Sequence, residues 1–396
     1  MRHLSMLSHT LARSGRNMSK AGDSGTAQDL NVAALQSTRA KSSEVVSRVR
    51  QRSINDLLQP REARTQPLDG FEEVYSDIVH YIAYATHRIW AEKAVGLIYS
   101  HYDDAVVIHT PYGTQTSVEE VVASTIQMMQ AFPDRESRIG NVAWTGNDQD
   151  GFYTSHLGTS RMTNLGPSNY GPATGRRVRI RHIADCMIRQ NMIYREWLVR
   201  DNGALVRQLG LDPVAVAQRL AEAAERSGIQ PVAAGQPDRT TGQKHPEPLR
   251  PALTAQSSME ERLRHMFHEV WNLRRFDRLK DWYAADAYIQ TAPGRDLRGV
   301  PGICWSIIAM LAALPDAVMH FDHFCDTHET DGYIPAVRWK LVGTHLGDGQ
   351  FGPPSGKPVI ILGMSHFRFE GGKIAQEWTV WDEISVLMQI HSHNSA

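Results

Sequence analysis

Two aspartates stand at matched places in this chain, Asp201 and Asp382, each four residues after a tryptophan, Trp197 and Trp378. Both segments read as strand ends. The two-residue period of a strand puts Trp197, Val199 and Asp201 on one face, and Trp378, Val380 and Asp382 on another. A carboxyl group held beside an indole is poorly hydrated, and burial raises its pKa toward neutrality by disfavouring the charged form. An acid tuned in this way can take a proton from the carbon next to a carbonyl and return it elsewhere, provided the sheet face is the concave one. The same position suits a second role. A strand-end aspartate caps a following turn or helix, and the residues from Asn202 onward could form such a helix.

Histidines form a second set of candidates. His156, Gly158 and Ser160 share one face of an extended run, and Leu341, Gly343 and His345 share one face of its counterpart, so each run offers one histidine. His109, after the apolar run 105–108, and the pair Asp185 and His366 could look into the same space. Trp90 and Trp271, with Trp197 and Trp378, are the indoles that would contact an apolar ligand, although as a class the tryptophans and methionines suit a core better than a cofactor box. No His-Glu-x-x-His or Cys-x-x-Cys spacing and no phosphate-cradling glycine loop occurs, and His245 to Glu247 falls in a polar linker. The glycines of 171–175 and 352–356 enclose prolines, which fits a turn. Neither a metal nor an organic cofactor is expected.

The totals bound the rest. The 396 residues exceed one ordinary domain, so two cores are expected. With 42 basic and 43 acidic residues the formal net charge is −1, which gives no drive toward nucleic acid or an anionic membrane. Cys186, Cys304 and Cys325 are too few and scattered for a disulfide framework, which fits a reducing compartment. No window approaches about 18 consecutive apolar residues, so no membrane span is expected and a cytoplasmic location follows. Residues 1–22 are basic and serine-containing, as transit peptides are. A plain polar leader, or a true start at Met6 or Met18, explains them better.

Sliding the chain along itself exposes a repeat with an offset of 181 residues. His87, Trp90, Tyr102, Ile108, Thr110 and Gly113 fall on His268, Trp271, Tyr283, Ile289, Thr291 and Gly294; later Ile193, Glu196, Trp197, Val199 and Asp201 fall on Ile374, Glu377, Trp378, Val380 and Asp382. Gly158-Thr159 answers Gly343-Thr344 if a small shift is allowed. Each copy reads as an amphipathic helix (71–101 and 259–283), a short extended piece, a second helix (117–131 and 299–313), then strands, of which 359–369 and 374–381 flank the turn Glu370-Gly371-Gly372-Lys373. This order predicts an α+β fold. The expected plan is a disordered polar leader over 1–69, a first domain over 70–211, a short helix and linker over 212–257, and a second domain over 258–392.

The ordered motifs of the second copy, Trp271-Asn272, Ala285-Asp286, Leu314 to Asp316, Gly343 to His345, Gly352 to Gly356, Phe367 to Ile374 and Glu377 to Asp382, resemble the SnoaL-like polyketide cyclase family of the nuclear transport factor 2-like superfamily. The resemblance implies two tandem cone-shaped domains, each a curved, mostly antiparallel sheet wrapped around N-terminal helices and enclosing an apolar cavity. It also implies cyclases without metal or organic cofactor, in which Asp201 and Asp382 take the place of the acid/base aspartate of an aldol ring closure.

Three functions are compatible with this reading. The first is an enzyme acting on a small hydrophobic carbonyl compound by cyclisation or isomerisation, with Asp201 or Asp382 as base and His156, His345 or His366 as partner. The second is a non-catalytic binder of a small apolar ligand, and the third an interaction module forming an internal pseudo-dimer or a homo-oligomer.

Overall fold

The alternation expected for the strands is realised twice. The computed structural model describes residues 54–59, 63–228, 252–329 and 332–392. In the first half, β1 (Tyr102–Thr110), β2 (Gly113–Gln115), β3 (Glu136–Asn147), β4 (Gly151–Thr163), β5 (Arg177–Arg189) and β6 (Met192–Arg200) form a sheet in the order β2-β1-β6-β5-β4-β3. In the second half, β7 (Tyr283–Thr291), β8 (Arg295–Arg298), β9 (Val318–Glu329), β10 (Gly332–Thr344), β11 (Pro358–Glu370) and β12 (Lys373–Trp381) repeat that order strand for strand. Only the pairings of β1 with β6 and of β7 with β12 are parallel. The molecule is therefore an α+β protein of two tandem domains with the same topology.

One face of each sheet is covered by its own helices. In the first domain these are α1 (Ile78–Trp90), started by the Asp77 side chain accepting the His80 N–H at 2.7 Å, and α2 (Val118–Ala131). The helix α3 (Asn202–Gln208) follows β6, and α4 (Pro213–Arg226) comes after it. The second domain has α5 (Met259–Phe267), opened by a capping box of Ser258 and Glu261, then α6 (Gly299–Ala313) and α7 (Glu383–His391). The long helices expected over 71–101 and 259–283 are broken, because Lys93 and Arg274 take left-handed backbone angles (φ 64° and 58°). Short helical turns, Ile98–His101 and Leu279–Trp282, then lead into β1 and β7.

The start of the first domain differs from the sequence expectation. Leu57 and Leu68 are buried in the same cluster as Phe71, Tyr75 and Tyr81, and Ile54–Leu57 is a helical turn. Segment 63–72 has few ladder bonds of its own; the Arg64 guanidinium compensates, donating to the carbonyls of Pro67, Leu68, Phe71 and Glu72 at 2.8–2.9 Å. The remainder of the expected leader and the linker from 229 to 251 lie outside the described residues. The helix read over 212–227 is present as α4 and packs against α7 and the core of the second domain.

Strand register corrects one alignment. Thr163 pairs with Arg177 and Thr344 with Pro358, so the 181-residue offset runs through β4 and β10 without a shift. A strand inside a sheet cannot absorb a slip without changing its ladder partners. Gly158 therefore corresponds to Trp339, Ser160 to Leu341, and His345 to Asn164.

The faces turned away from the helices pack against each other. Leu157, Ile183 and Val199 of the first sheet meet Leu362, Met364 and Val380 of the second, flanked by Trp197 and Trp378.

Candidate active site

The helix-facing sides of β4, β5 and β6 carry Thr154 and His156, then His182, Ala184 and Cys186, then Glu196, Leu198 and Arg200. With α1 and α2, all of these but Thr154 line a cavity of about 930 Å³. Glu196 is buried and accepts a hydrogen bond from the Tyr102 hydroxyl at 3.1 Å. Burial raises its pKa to about 7, against the lowering effects of Tyr102 and the nearby Arg200. Arg135 lies 4.2 Å from the Trp90 ring centre, and its Nε donates to Ser160 Oγ at 3.2 Å. Burial, reinforced by the Arg200 charge, lowers its pKa to about 9. His182 lies across Gly158 so closely that a Cβ there would stand 2.3 Å from Nε2. Burial and the adjoining cations keep His182 neutral, and burial alone lowers His156 to about 4, so both imidazoles face the cavity uncharged. The cavity thus offers a carboxyl group poised near neutrality, two cations and two neutral histidines.

The second domain places apolar groups at the matching positions. Trp339 lies across Gly363, where a Cβ would stand 2.2 Å from the indole. This is the Gly158–His182 contact with the large ring on the opposite strand. Where the first domain has Cys186, Arg200 and Arg135, the second has Phe367, Trp381 and Ala317, all buried in one apolar cluster. Tyr283 donates to Glu377 at 2.6 Å, as Tyr102 does to Glu196, but Glu377 is also bonded by Thr379, which meets Ser365 at 2.7 Å, and Ser365 accepts the Trp339 indole N–H at 3.0 Å. Its carboxylate is committed to side chains of the fold.

Of the residues singled out from sequence, His156 and Trp90 line the first cavity. The expected grouping of Trp197, Val199 and Asp201, and of Trp378, Val380 and Asp382, on common faces is present. Those faces, however, turn away from the helices and meet between the domains, not around a concave pocket. Trp197 and Trp378 are part of that contact, and the His109 ring lies tilted against Trp197 with ring centres 5.2 Å apart. Asp185 accepts from the Tyr153 hydroxyl and, at 3.2 Å, from Arg338, whose guanidinium lies 3.6 Å from the Trp197 ring centre. His366 Nε2 meets Ser155 Oγ across the same contact at 2.9 Å. Trp271 packs against the core of the second domain.

Both aspartates are helix N-caps that also reach into the other domain. Asp201 accepts the Ala204 N–H at 3.1 Å and the Gly294 N–H at 2.8 Å. Asp382 accepts the Ile384 N–H at 2.9 Å and the Asn202 side-chain amide at 2.6 Å. Burial raises them to about 6 and about 7 respectively. A near-neutral carboxyl group is thus present at both positions, but its bonds are those of a cap and tether. Asp382→Ala is expected to lower stability by about 2–3 kcal/mol, from a lost cap and an unpaired buried amide, and Asp382→Asn by under about 1 kcal/mol. Urea unfolding at pH 6 measures both.

His345 does the same work as Asn164. His345 Nδ1 accepts the Ser355 N–H at 3.3 Å, and Asn164 Oδ1 accepts the Thr174 N–H at 2.9 Å, each pinning the glycine- and proline-bearing loop beside it. His345→Asn is therefore expected to cost under about 1 kcal/mol, whereas His345→Ala leaves that loop without its acceptor and costs about 1–3 kcal/mol by thermal or urea unfolding.

The groups missed from sequence are Glu196, His182, Arg200 and Arg135. The same two-residue period that grouped Trp197 with Asp201 places Glu196, Leu198 and Arg200 on the opposite face, which is the enclosed one. Among the described residues, no cluster of three or more His, Cys, Asp or Glu side chains is arranged to hold a metal ion, and no helix is long and apolar enough to cross a membrane.

Residues 261–390 match the family model of the SnoaL-like polyketide cyclases. The second domain is a SnoaL-like domain. The first domain repeats the topology of this SnoaL-like domain, strand order and register included. Solved structures similar to single domains include IdmH from Streptomyces antibioticus, named a candidate polyketide cyclase (22% identity, TM-score 0.29, 34% of this chain and 99% of that one). TsrD from Streptomyces laurentii is another (20%, 0.29, 34% and 95%). A third is a protein with a ketosteroid isomerase-like fold from Catenulispora acidiphila, solved with trimethylamine (17%, 0.26, 31% and 87%). No curated protein matches the chain.

Proposed function

We propose that the first domain is a proton-transfer enzyme acting on a small hydrophobic carbonyl compound, with Glu196 as its base, and that the SnoaL-like second domain is its structural companion. The observation that carries this reading is a buried glutamate with a pKa of about 7 facing a cavity of about 930 Å³, at a place where the second copy carries Trp339 and Trp381. The Glu196 carboxylate takes a proton from the carbon beside the substrate carbonyl. In an isomerisation Glu196 returns the proton to another carbon. In a cyclisation the carbanion bonds to a second carbonyl carbon, and the resulting alkoxide takes the proton back. The outer faces of the two sheets, covered by each other, serve as an internal pseudo-dimer that spares each copy a separate partner.

Solvent-deuterium incorporation into 1-indanone and 2-tetralone, followed by mass spectrometry, tests the reading. Exchange faster than buffer with the wild-type protein, and lost in Glu196→Gln, supports it. Exchange no faster than buffer leaves the cavity as a binding site only.

A further inference from the structure

We propose that the first-domain cavity takes a substrate bearing a carboxylate, seated between Arg135 and Arg200. This rests on that cavity being the ligand site, but not on Glu196 acting as a base. Arg135 is 7% exposed, and its Nη1 has no hydrogen-bond partner among the described residues. Neither Arg135 nor Arg200 forms a salt bridge among them. The carboxylates bordering the space are Glu196, engaged by Tyr102 and close enough to Arg200 to feel its charge, and Glu120 at the start of α2, which accepts the Thr116 N–H at 2.6 Å, so Arg135 is the cation left without an acid among the described residues.

An enclosed cation without a counter-charge is strongly unfavourable, and proteins keep one chiefly where an anion arrives to meet it. A guanidinium matches a carboxylate with two parallel N–H donors, a planar fit that a lysine lacks. The indole of Trp90 beneath Arg135, with Ile82, Ile89 and Phe132 elsewhere in the same lining, suits an aromatic body attached to that carboxylate. The second copy has Ala317 and Trp381 in the two positions, both buried in its apolar cluster, so the arginines belong to the first-domain cavity and are not required by the fold. The substrate class is an aromatic or polycyclic carboxylic acid.

Isothermal titration of the full chain with 2-naphthoate and 9-anthracenecarboxylate, against their primary amides, tests the assignment. The expected result is that at least one acid binds ten times or more tighter than its amide. Arg135→Met and Arg200→Met should each weaken the acid tenfold or more and leave the amide unchanged. Arg135→Met should also melt no lower than the wild type, because it removes an unpaired buried charge. If either methionine variant misfolds by circular dichroism, the corresponding glutamine variant takes its place. Failure of both acids to bind, equal binding of acid and amide, or unchanged acid affinity in the arginine variants overturns the proposal. Glu196→Gln separates the two claims: acid binding retained with deuterium exchange absent even in the wild type sinks the enzyme and keeps the carboxylate site. Exchange that depends on Glu196 while the acids bind independently of both arginines does the reverse.

Discussion

Glu196→Gln slows carbon-proton exchange by about 10²–10⁴-fold, the usual contribution of a positioned general base, while the protein stays folded. Glutamine preserves the shape of the side chain and still accepts the Tyr102 hydroxyl. In the wild type the active species is the carboxylate, so the rate rises with pH through about 7 and levels above it. In the variant that rise disappears. The same substitution reads out in stability with a defined sign. Burial raises the Glu196 pKa in the folded protein, so the folded state holds a proton that the unfolded chain has released. Wild-type stability therefore falls as pH rises from the ordinary glutamate value to about 7 and stays low above that. A shift of this size corresponds to a cost on the order of 3 kcal/mol at pH 8. Glu196→Gln is free of that cost, so it melts higher than the wild type at pH 8 and close to it at pH 4. Thermal melts at the two pH values check this without any substrate. Equal effects at both would mean that Glu196 does not carry the raised pKa on which the base role depends.

Asp185→Ala lowers stability by about 3–5 kcal/mol, the larger structural effect expected in this molecule. The mutation leaves the buried Arg338 guanidinium without its carboxylate at the contact between the sheets. The Tyr153 hydroxyl loses its acceptor as well, although Arg338 still donates to it at 2.8 Å. The cost arises from a stranded charge, so removing that charge should recover most of it. The double variant Asp185→Ala with Arg338→Met is expected to be within about 1–2 kcal/mol of the wild type, because a buried ion pair is commonly replaceable by apolar groups of similar volume. Urea unfolding of both singles and the double forms the cycle that decides the point. A double variant as weak as the single would mean that the loss comes from packing around Tyr153 and His323, whose rings stack 3.8 Å apart, and not from charge.

The duplication, the fold class and the order of elements were legible because they rest on repeating patterns. Spacings such as Trp90 to Tyr102 recur as Trp271 to Tyr283, and apolar alternation marks each strand. The site was legible only as far as the choice of strand. Alternation identifies two faces of β6 but not which one is enclosed, and here both are covered: one by helices, the other by the second sheet. An indole and an aspartate therefore looked like a pocket wall when they were a contact between domains, and Glu196, one residue before Trp197, went unassigned. Arg135 was hidden for a different reason, since it enters the cavity from a loop after Pro133, where no period applies. The Gly158 and Gly343 pairing failed because a shared dipeptide outweighed ladder register, which only coordinates reveal. Leu68 was missed because a docked segment without regular structure has no periodic signature.

The reciprocal caps at the two strand ends have a consequence for how the gene can be divided. Asp201 needs the Gly294 amide and Asp382 needs the Asn202 side chain, each supplied by the other half. Severing the polypeptide between them would leave two fragments, each with a capping acid that has lost its partner from the other half and a bare oily wall. Each half is therefore expected to be less stable alone than when joined to the other.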